Sequence, residues 1–138
     1  MEKIQERALR FVLNDSFSSY SELLRRSSKP SLLLSRLRKL AIEVYKITAQ
    51  SGRSFLYDLY QQKETPYNLR DNQQLKQPPY HTITYGKHSL RYEGAKLWNT
   101  LPHTMKEATT LSQFKRLVYT WLGPSCSCSM CVLCQGRN

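Results

Sequence analysis

One stretch of the sequence constrains the fold more than any other. Between residues 31 and 50, apolar side chains recur at alternating spacings of four and three residues, at Leu33, Leu37, Leu40, Val44 and Ile47. This is the a/d pattern of a helix that buries one narrow apolar seam. At about 1.5 Å per residue, such a helix is about 30 Å long. We therefore predict that it forms the central helix of the fold.

Shorter segments with helical periodicity lie on both sides of this helix. Residues 2–13 place Ile4, Ala8, Phe11 and Val12 on one face. Residues 19–22 and 110–113 are capping boxes, each opening a short helix. Residues 55–60 and 95–100 favour helical turns, while residues 82–92 could form a short β-hairpin around Gly86-Lys87. The predicted fold class is mainly α, a small helical bundle around one long central helix.

Composition suggests four consecutive regions. Residues 1–60 are predicted to form a helical subdomain, and residues 61–82, which are polar and contain three prolines, an extended linker. Residues 83–122 would contain the hairpin and C-terminal helices that pack on the first part. Residues 123–138 hold all four cysteines and are expected to form a flexible tail. Leu75 and Tyr80 are candidates for pinning the linker to the core, together with Tyr67 and Leu69.

The charge of the chain points to a polyanionic partner. Lys and Arg number 21 against 10 Asp and Glu, a formal net charge of +11, which favours RNA or DNA. Six cations and no acid lie in the window of residues 25–39, and two more lie within the last predicted helix. These candidate phosphate contacts are Arg25, Arg26, Lys29, Arg36, Arg38, Lys39, Lys115 and Arg116. For the window at residues 25–39, ordinary solvated helix faces explain the pattern equally well.

The tyrosines allow a similar choice between two roles. Tyr45, Tyr57, Tyr60 and Tyr119 fall in amphipathic helices and are predicted to be core or core-edge residues. Others alternate with cations in the connecting region, an arrangement that suits stacking on unpaired bases; they are Tyr67, Tyr80, Tyr85 and Tyr92. Anchoring a loop to the core is the favoured role for each of these taken singly.

Several function classes are disfavoured. No apolar run reaches the roughly 18 residues of a membrane span, and the charged N-terminus is unlike a secretory signal; we expect no membrane partner and a nuclear or cytoplasmic location. The sequence has no paired carboxylates, Gly-rich phosphate loop or nucleophile motif. The three histidines lack metal-ligand spacing. A Cys–His nucleophile pair is conceivable because both residue types are present, but no local signature supports it.

The cysteines provide a candidate metal site. Cys126, Cys128, Cys131 and Cys134 follow the pattern C-x-C-x₂-C-x₂-C, and four thiolates suit tetrahedral zinc. The spacing is shorter than that of standard zinc fingers, however, and wrapping so few residues around one ion is strained. A cysteine-rich tail that stays reduced inside cells is the favoured alternative.

The order of these motifs resembles a known family. The segments that carry the resemblance are residues 3–12, 18–24, 37–46, 65–70, 84–92, 95–102, 111–116 and 123–131. Together they are similar to the C-terminal region, downstream of the polymerase core, of LINE-type non-LTR retrotransposon reverse transcriptases. The most specific piece is W-N-x-L-P at 98–102, followed by a basic amphipathic helix.

The resemblance implies a function without catalysis. In that family the catalytic aspartates lie upstream of this region, which is thought to help hold template RNA or target DNA. We therefore expect a nucleic-acid-binding fragment, and a truncated remnant of a longer reading frame. The alternative is a helical interaction module that packs on the polymerase domain or self-associates through the seam at residues 33–47.

Overall fold

The predicted mainly helical fold is confirmed. A computed structural model describes residues 2–49, 54–63 and 73–124. Its α-helices are α1 (Glu2–Leu13), α2 (Tyr20–Ser27), α3 (Leu32–Thr48), α4 (Leu90–Thr100), α5 (His103–Lys106) and α6 (Leu111–Thr120). A 3₁₀-helix, Ser54–Leu59, follows α3, and a π-helical turn, Ile83–Lys87, precedes α4. None of these helices has both the length and the apolar composition needed to cross a bilayer.

The chain divides into two compact units. The first unit is Met1–Arg38 and the second is Lys39–Asn138, so the division falls inside α3. Composition instead predicts the first boundary after residue 60. Residues 64–72, with the predicted anchors Tyr67 and Leu69, and residues 125–138, with all four cysteines, lie outside the described residues.

Within the first unit, side chains of α1 cap the start of α3. The backbone N–H groups that begin a helix lack partners within it. Glu2 Oε1 accepts a hydrogen bond from Leu33 N at 2.8 Å, and Gln5 Oε1 accepts one from Leu32 N at 3.0 Å. The Ser31 hydroxyl accepts the next one, from Leu34 N, at 3.2 Å. The helix thus starts where three acceptors from two parts of the chain meet its free donors.

The apolar face of α1 does not take part in this capping. Glu2 and Gln5 turn toward the start of α3, while the face that bears the apolar side chains is solvent-exposed. That face consists of Ile4, Ala8, Phe11 and Val12, with Phe11 88% exposed. These are the residues that the periodicity had grouped on one face. The grouping is therefore correct, but in the first unit the apolar face has no covering element.

The second unit has an aromatic core. Tyr45 of α3 and Phe114 of α6 stack with ring centroids 4.3 Å apart, and Trp98 of α4 lies 6.0 Å from Phe114. The Tyr45 hydroxyl donates a 2.8 Å hydrogen bond to the carbonyl of Ala108. Seam residues Val44 and Ile47 are buried as well. Since Tyr45, Ala41 and Ile42 are buried beside these seam residues, the buried face of α3 is wider than the a/d pattern indicated.

The W-N-T-L-P segment holds an extended strand-like stretch in place. Asn99 Oδ1 accepts from Leu75 N at 2.8 Å, and Asn99 Nδ2 donates to Leu75 O at 2.9 Å. The neighbouring Trp98 donates through Nε1 to the carbonyl of Gln73 at 2.8 Å. Leu75 is buried and forms an antiparallel bridge with Gln62. The prediction that Leu75 anchors the polar connection is thus confirmed.

The β-hairpin expected at residues 82–92 does not form. The Gly86 and Lys87 backbone N–H groups both donate to the carbonyl of Thr82 at 3.1 Å, which closes a π-helical turn. The Ser89 hydroxyl then accepts from Tyr92 N at 3.2 Å and caps α4. A serine N-cap favours helix over strand, so α4 starts at Leu90 rather than at the predicted Ala95.

Candidate nucleic-acid interface

Two of the predicted phosphate contacts already have acidic partners in the first unit. Arg25 on α2 donates to Glu22 through Nε at 3.0 Å and through Nη2 at 2.5 Å. This hydrogen bond lowers the pKa of Glu22 and raises that of Arg25. Exposed ion pairs contribute little to stability, because both charges remain solvated. The pair nevertheless weakens the attraction that Arg25 offers a phosphate, because a phosphate must compete with Glu22.

Arg26 contacts the carboxylate of Asp15 in the loop between α1 and α2. Asp15 also accepts hydrogen bonds from the Ser18 hydroxyl at 2.7 Å and from the Ser18 and Phe17 backbone N–H groups. These bonds, those of Ser18 foremost, hold the pKa of Asp15 far below its usual range. Asp15 therefore stays ionised at neutral pH and remains a partner for Arg26.

The remaining cations of the window are spread over both units. Lys29 is exposed just beyond α2, Arg36 is exposed on α3, and Arg38 is half-buried. Lys39 is exposed but belongs to the second unit. Within neither unit does the structure assemble all six predicted cations into one site.

Helix α6 presents a basic face without competing acids. Lys115 and Arg116 are exposed, and neither forms an ion pair with another described residue. Ser112 and Tyr119 are exposed as well, and the four residues follow the i, i+3, i+4, i+7 spacing of a single helix face. Phe114 and Val118, fully buried, fix this orientation from the opposite side. We call Ser112, Lys115, Arg116 and Tyr119 the α6 face.

Tyr119 is a functional candidate that the sequence analysis missed. It was predicted to be a core or core-edge residue, yet it is 62% exposed. Its separation from Lys115 and Arg116 by four and three residues was the available signal, because that spacing places it beside them on a helix. Tyr45 and Tyr60, in contrast, are buried as predicted.

The predicted metal ligands lie outside the part of the chain that the structure describes. Cys126, Cys128, Cys131 and Cys134 lie outside the described residues. Among those that are described, no group of three or more His, Cys, Asp or Glu side chains could hold a metal ion. His103 Nδ1 lies 3.1 Å from Glu107 Oε1, both at exposed positions, and the exposed His88 lies 3.8 Å from the half-buried Glu93.

Comparison with known proteins adds no relative. No family model, no curated protein sequence and no solved structure matches the chain. The interpretation of its function therefore depends on its own residues and on the order of its motifs.

Proposed function

We propose that this chain is a non-catalytic nucleic-acid-binding protein, equivalent to the C-terminal extension of a LINE-type reverse transcriptase. The observation that carries the proposal is the α6 face, where two exposed cations and a tyrosine share one side of a helix. Among the described residues, no acid forms an ion pair with Lys115 or Arg116. The net charge of +11 adds long-range attraction for RNA and DNA.

The proposed role of each residue follows from its chemistry. Lys115 and Arg116 contact phosphates, with Arg116 able to present two parallel N–H donors. Tyr119 supports the adjacent sugar or base, and the Ser112 hydroxyl donates to a phosphate oxygen. Arg25, Arg26, Lys29, Arg36, Arg38 and Lys39 are secondary contacts, since Arg25 and Arg26 first have to leave their carboxylates.

Binding measured against salt concentration tests this role. Fluorescence anisotropy with labelled RNA and DNA of about 20 nucleotides, from about 50 to 200 mM salt, gives the slope of log K against log salt. We expect K115Q/R116Q to reduce that slope by about 1.4–1.8 units, because each lost phosphate contact removes about 0.7–0.9.

A charge-matched control separates the α6 face from net charge. K63Q/K76Q also removes two exposed cations from the second unit, beside the Gln62–Leu75 bridge. This variant should keep the wild-type slope. Equal losses in both double variants, or no binding by the wild type at the lowest salt, would show that the α6 face is not the interface.

A second candidate function, pairing of two copies through α1, is favoured by one observation. The exposed residues Ile4, Ala8 and Phe11 follow the spacing of four and three by which helices pair, with a small residue at the centre. The seam at residues 33–47, which the sequence analysis offered for self-association, is less suited because Leu37, Val44 and Ile47 are buried.

Sedimentation velocity at micromolar concentration tests the pairing. We expect a dimer for the wild type and a monomer for F11S, which removes the largest side chain of the stripe. F17S, which changes a fully exposed phenylalanine outside α1, should stay dimeric. A monomeric wild type would rule the pairing out.

A further inference from the structure

Three tyrosines lie in or beside the π-helical turn before α4, in the second unit. Tyr85 lies in the turn and is 86% exposed, and Tyr80, just before it, is 42% exposed. The Tyr80 ring meets the ring of Tyr92 edge to face, with centroids 5.0 Å apart and an interplanar angle of 77°. Three tyrosines, two of them open to solvent, therefore occupy one short region. We call Tyr80, Tyr85 and Tyr92 the tyrosine platform.

The platform is held by ordered backbone rather than by a loose loop. At Gly86 a Cβ atom would lie 2.7 Å from Tyr80 Cβ, so only glycine lets the segment at Tyr80 pack so closely against the turn. The turn is closed by the two hydrogen bonds to Thr82 O and by a 3.1 Å bond from Ser89 N to Gly86 O. Tyr92 stands in the first turn of α4, whose start is fixed by the Ser89 cap. Its position is thus set before any ligand arrives.

The charges around the platform favour an anionic ligand. Arg91 is exposed next to Tyr92, and Lys87, at the end of the turn, is half-buried. The exposed His81 and His88 add further donors. The acid of this segment, Glu93, is half-buried and faces His88 at 3.8 Å. Exposed rings bordered by cations are the combination that proteins use to bind single-stranded nucleic acid.

We propose that the tyrosine platform stacks unpaired bases of single-stranded RNA or DNA, with Tyr85 as the principal stacking residue and Arg91 on the adjoining phosphate. The inference rests on the nucleic-acid function proposed above and deepens it. The α6 face would supply the charge-dependent part of binding, and the platform would supply a preference for strands whose bases are not paired. Stacking needs only the face of a base, so the preference should be largely independent of sequence.

Three probes of about 20 nucleotides separate stacking from charge: single-stranded dT, single-stranded rU and an abasic strand with the same phosphates. For the wild type, we expect binding to dT or rU at least about fivefold tighter than to the abasic strand. Y85L should lose this difference, whereas Y85W, which keeps a stacking ring, should retain it. I83A alters another exposed residue of the same turn and should behave as the wild type.

Each outcome gives a decision. If the wild type binds the abasic strand as tightly as dT and rU, the platform does not stack bases, while the proposed function stands. The same conclusion follows if Y85L keeps full discrimination. If no probe binds at low salt, the proposed function itself fails. The abasic comparison uses the unaltered chain, so it decides even if a variant does not fold, and the ratio of dT to rU affinity separates DNA from RNA.

Discussion

Asp15 organises the loop between α1 and α2 with one carboxylate. It accepts hydrogen bonds from Ser18 and Phe17 and contacts Arg26, so a single side chain satisfies backbone and side-chain donors together. A carboxylate that accepts several such bonds is stabilised in its charged form. Because folding lowers the pKa of Asp15, the free energy of unfolding of the first unit depends on pH.

We predict that the first unit loses stability in acid because of Asp15. In the folded protein the pKa of Asp15 lies below its ordinary value of 3.8. The charged carboxylate therefore contributes its full stabilisation at pH values above 3.8. This contribution is lost as the pH falls through the folded-state pKa. D15N should therefore be less stable than the wild type at pH 7, and the gap should narrow at pH values below about 4. Urea unfolding followed by NMR at the fully buried Leu23 measures this.

A second substitution at the same loop checks the cause. S18A removes the hydroxyl that bonds Asp15 at 2.7 Å but leaves the two backbone donors. The stability of S18A at pH 7 should lie between that of the wild type and that of D15N. If the wild type and D15N lose stability in parallel as the pH falls, Asp15 is not the group responsible.

At the scale of elements, the W-N-T-L-P segment acts as a clamp. Asn99 pairs with both backbone groups of Leu75, as another strand would, and Trp98 bonds the backbone of Gln73. The segment at residues 73–75 thus obtains from two side chains the hydrogen bonds that a β-sheet would otherwise provide. The motif most specific to the family resemblance therefore has a structural role in the second unit.

We predict that N99A destabilises the second unit by about 2–4 kcal/mol, because it leaves the N–H and C=O of the buried Leu75 without their partners. N99D should lose one of these two hydrogen bonds instead of both. It keeps an oxygen that accepts from Leu75 N but has no N–H to donate to Leu75 O. The control Q61A, which alters an exposed side chain on the paired segment, should change stability by less than about 0.5 kcal/mol. Urea unfolding of the three variants gives these values, and a near-wild-type N99A would contradict the clamp.

The helices were predictable where local chemistry decides them. Ser19 and Thr110 cap α2 and α6 as their capping boxes indicated, each accepting from the backbone N–H three residues on. The π-helical turn at residues 83–87 could not be predicted from the sequence. Its conformation depends on the close approach of Tyr80 to Gly86, a contact that periodicity does not encode. The contact of α1 with the start of α3 was equally hidden, since it joins Glu2 to a residue 31 positions away.

The candidate interface was predictable in part for the same reason. Lys115 and Arg116 are exposed because α6 is amphipathic, which the sequence displays directly. The pairing of Arg26 with Asp15, 11 residues apart, needed the fold of the loop. Composition revealed how much charge the chain carries, but only three-dimensional contacts show which cations remain without an acidic neighbour.

At the scale of the whole molecule, the second unit depends on one residue of the last described helix. Phe114 is fully buried and contacts rings contributed by α3 and α4. Helices brought from distant parts of the sequence thus share a single aromatic centre. Removing that ring takes away the contacts of both Tyr45 and Trp98 with α6 and leaves a cavity in the core.

We predict that F114A destabilises the second unit by about 3–5 kcal/mol, as expected for truncating a buried phenylalanine. F17A makes the same chemical change at a fully exposed position in the first unit and should cost less than about 0.5 kcal/mol. Thermal and urea unfolding, followed by far-UV circular dichroism, compare the two variants. Similar losses for both would mean that the aromatic centre is not what holds the second unit together.

The separation between Tyr45 and its hydrogen-bond partner Ala108 has a consequence for synthesis on the ribosome. The contacts that cap α3 are all made within the first 38 residues, so they can form as soon as those residues emerge. The hydrogen bond from Tyr45 to Ala108 can form only after 63 further residues have been synthesised. At about 5–20 residues per second this delay is about 3–13 s. For that interval the apolar half of α3 is uncovered in the nascent chain, and chaperones that hold hydrophobic segments would meet it first.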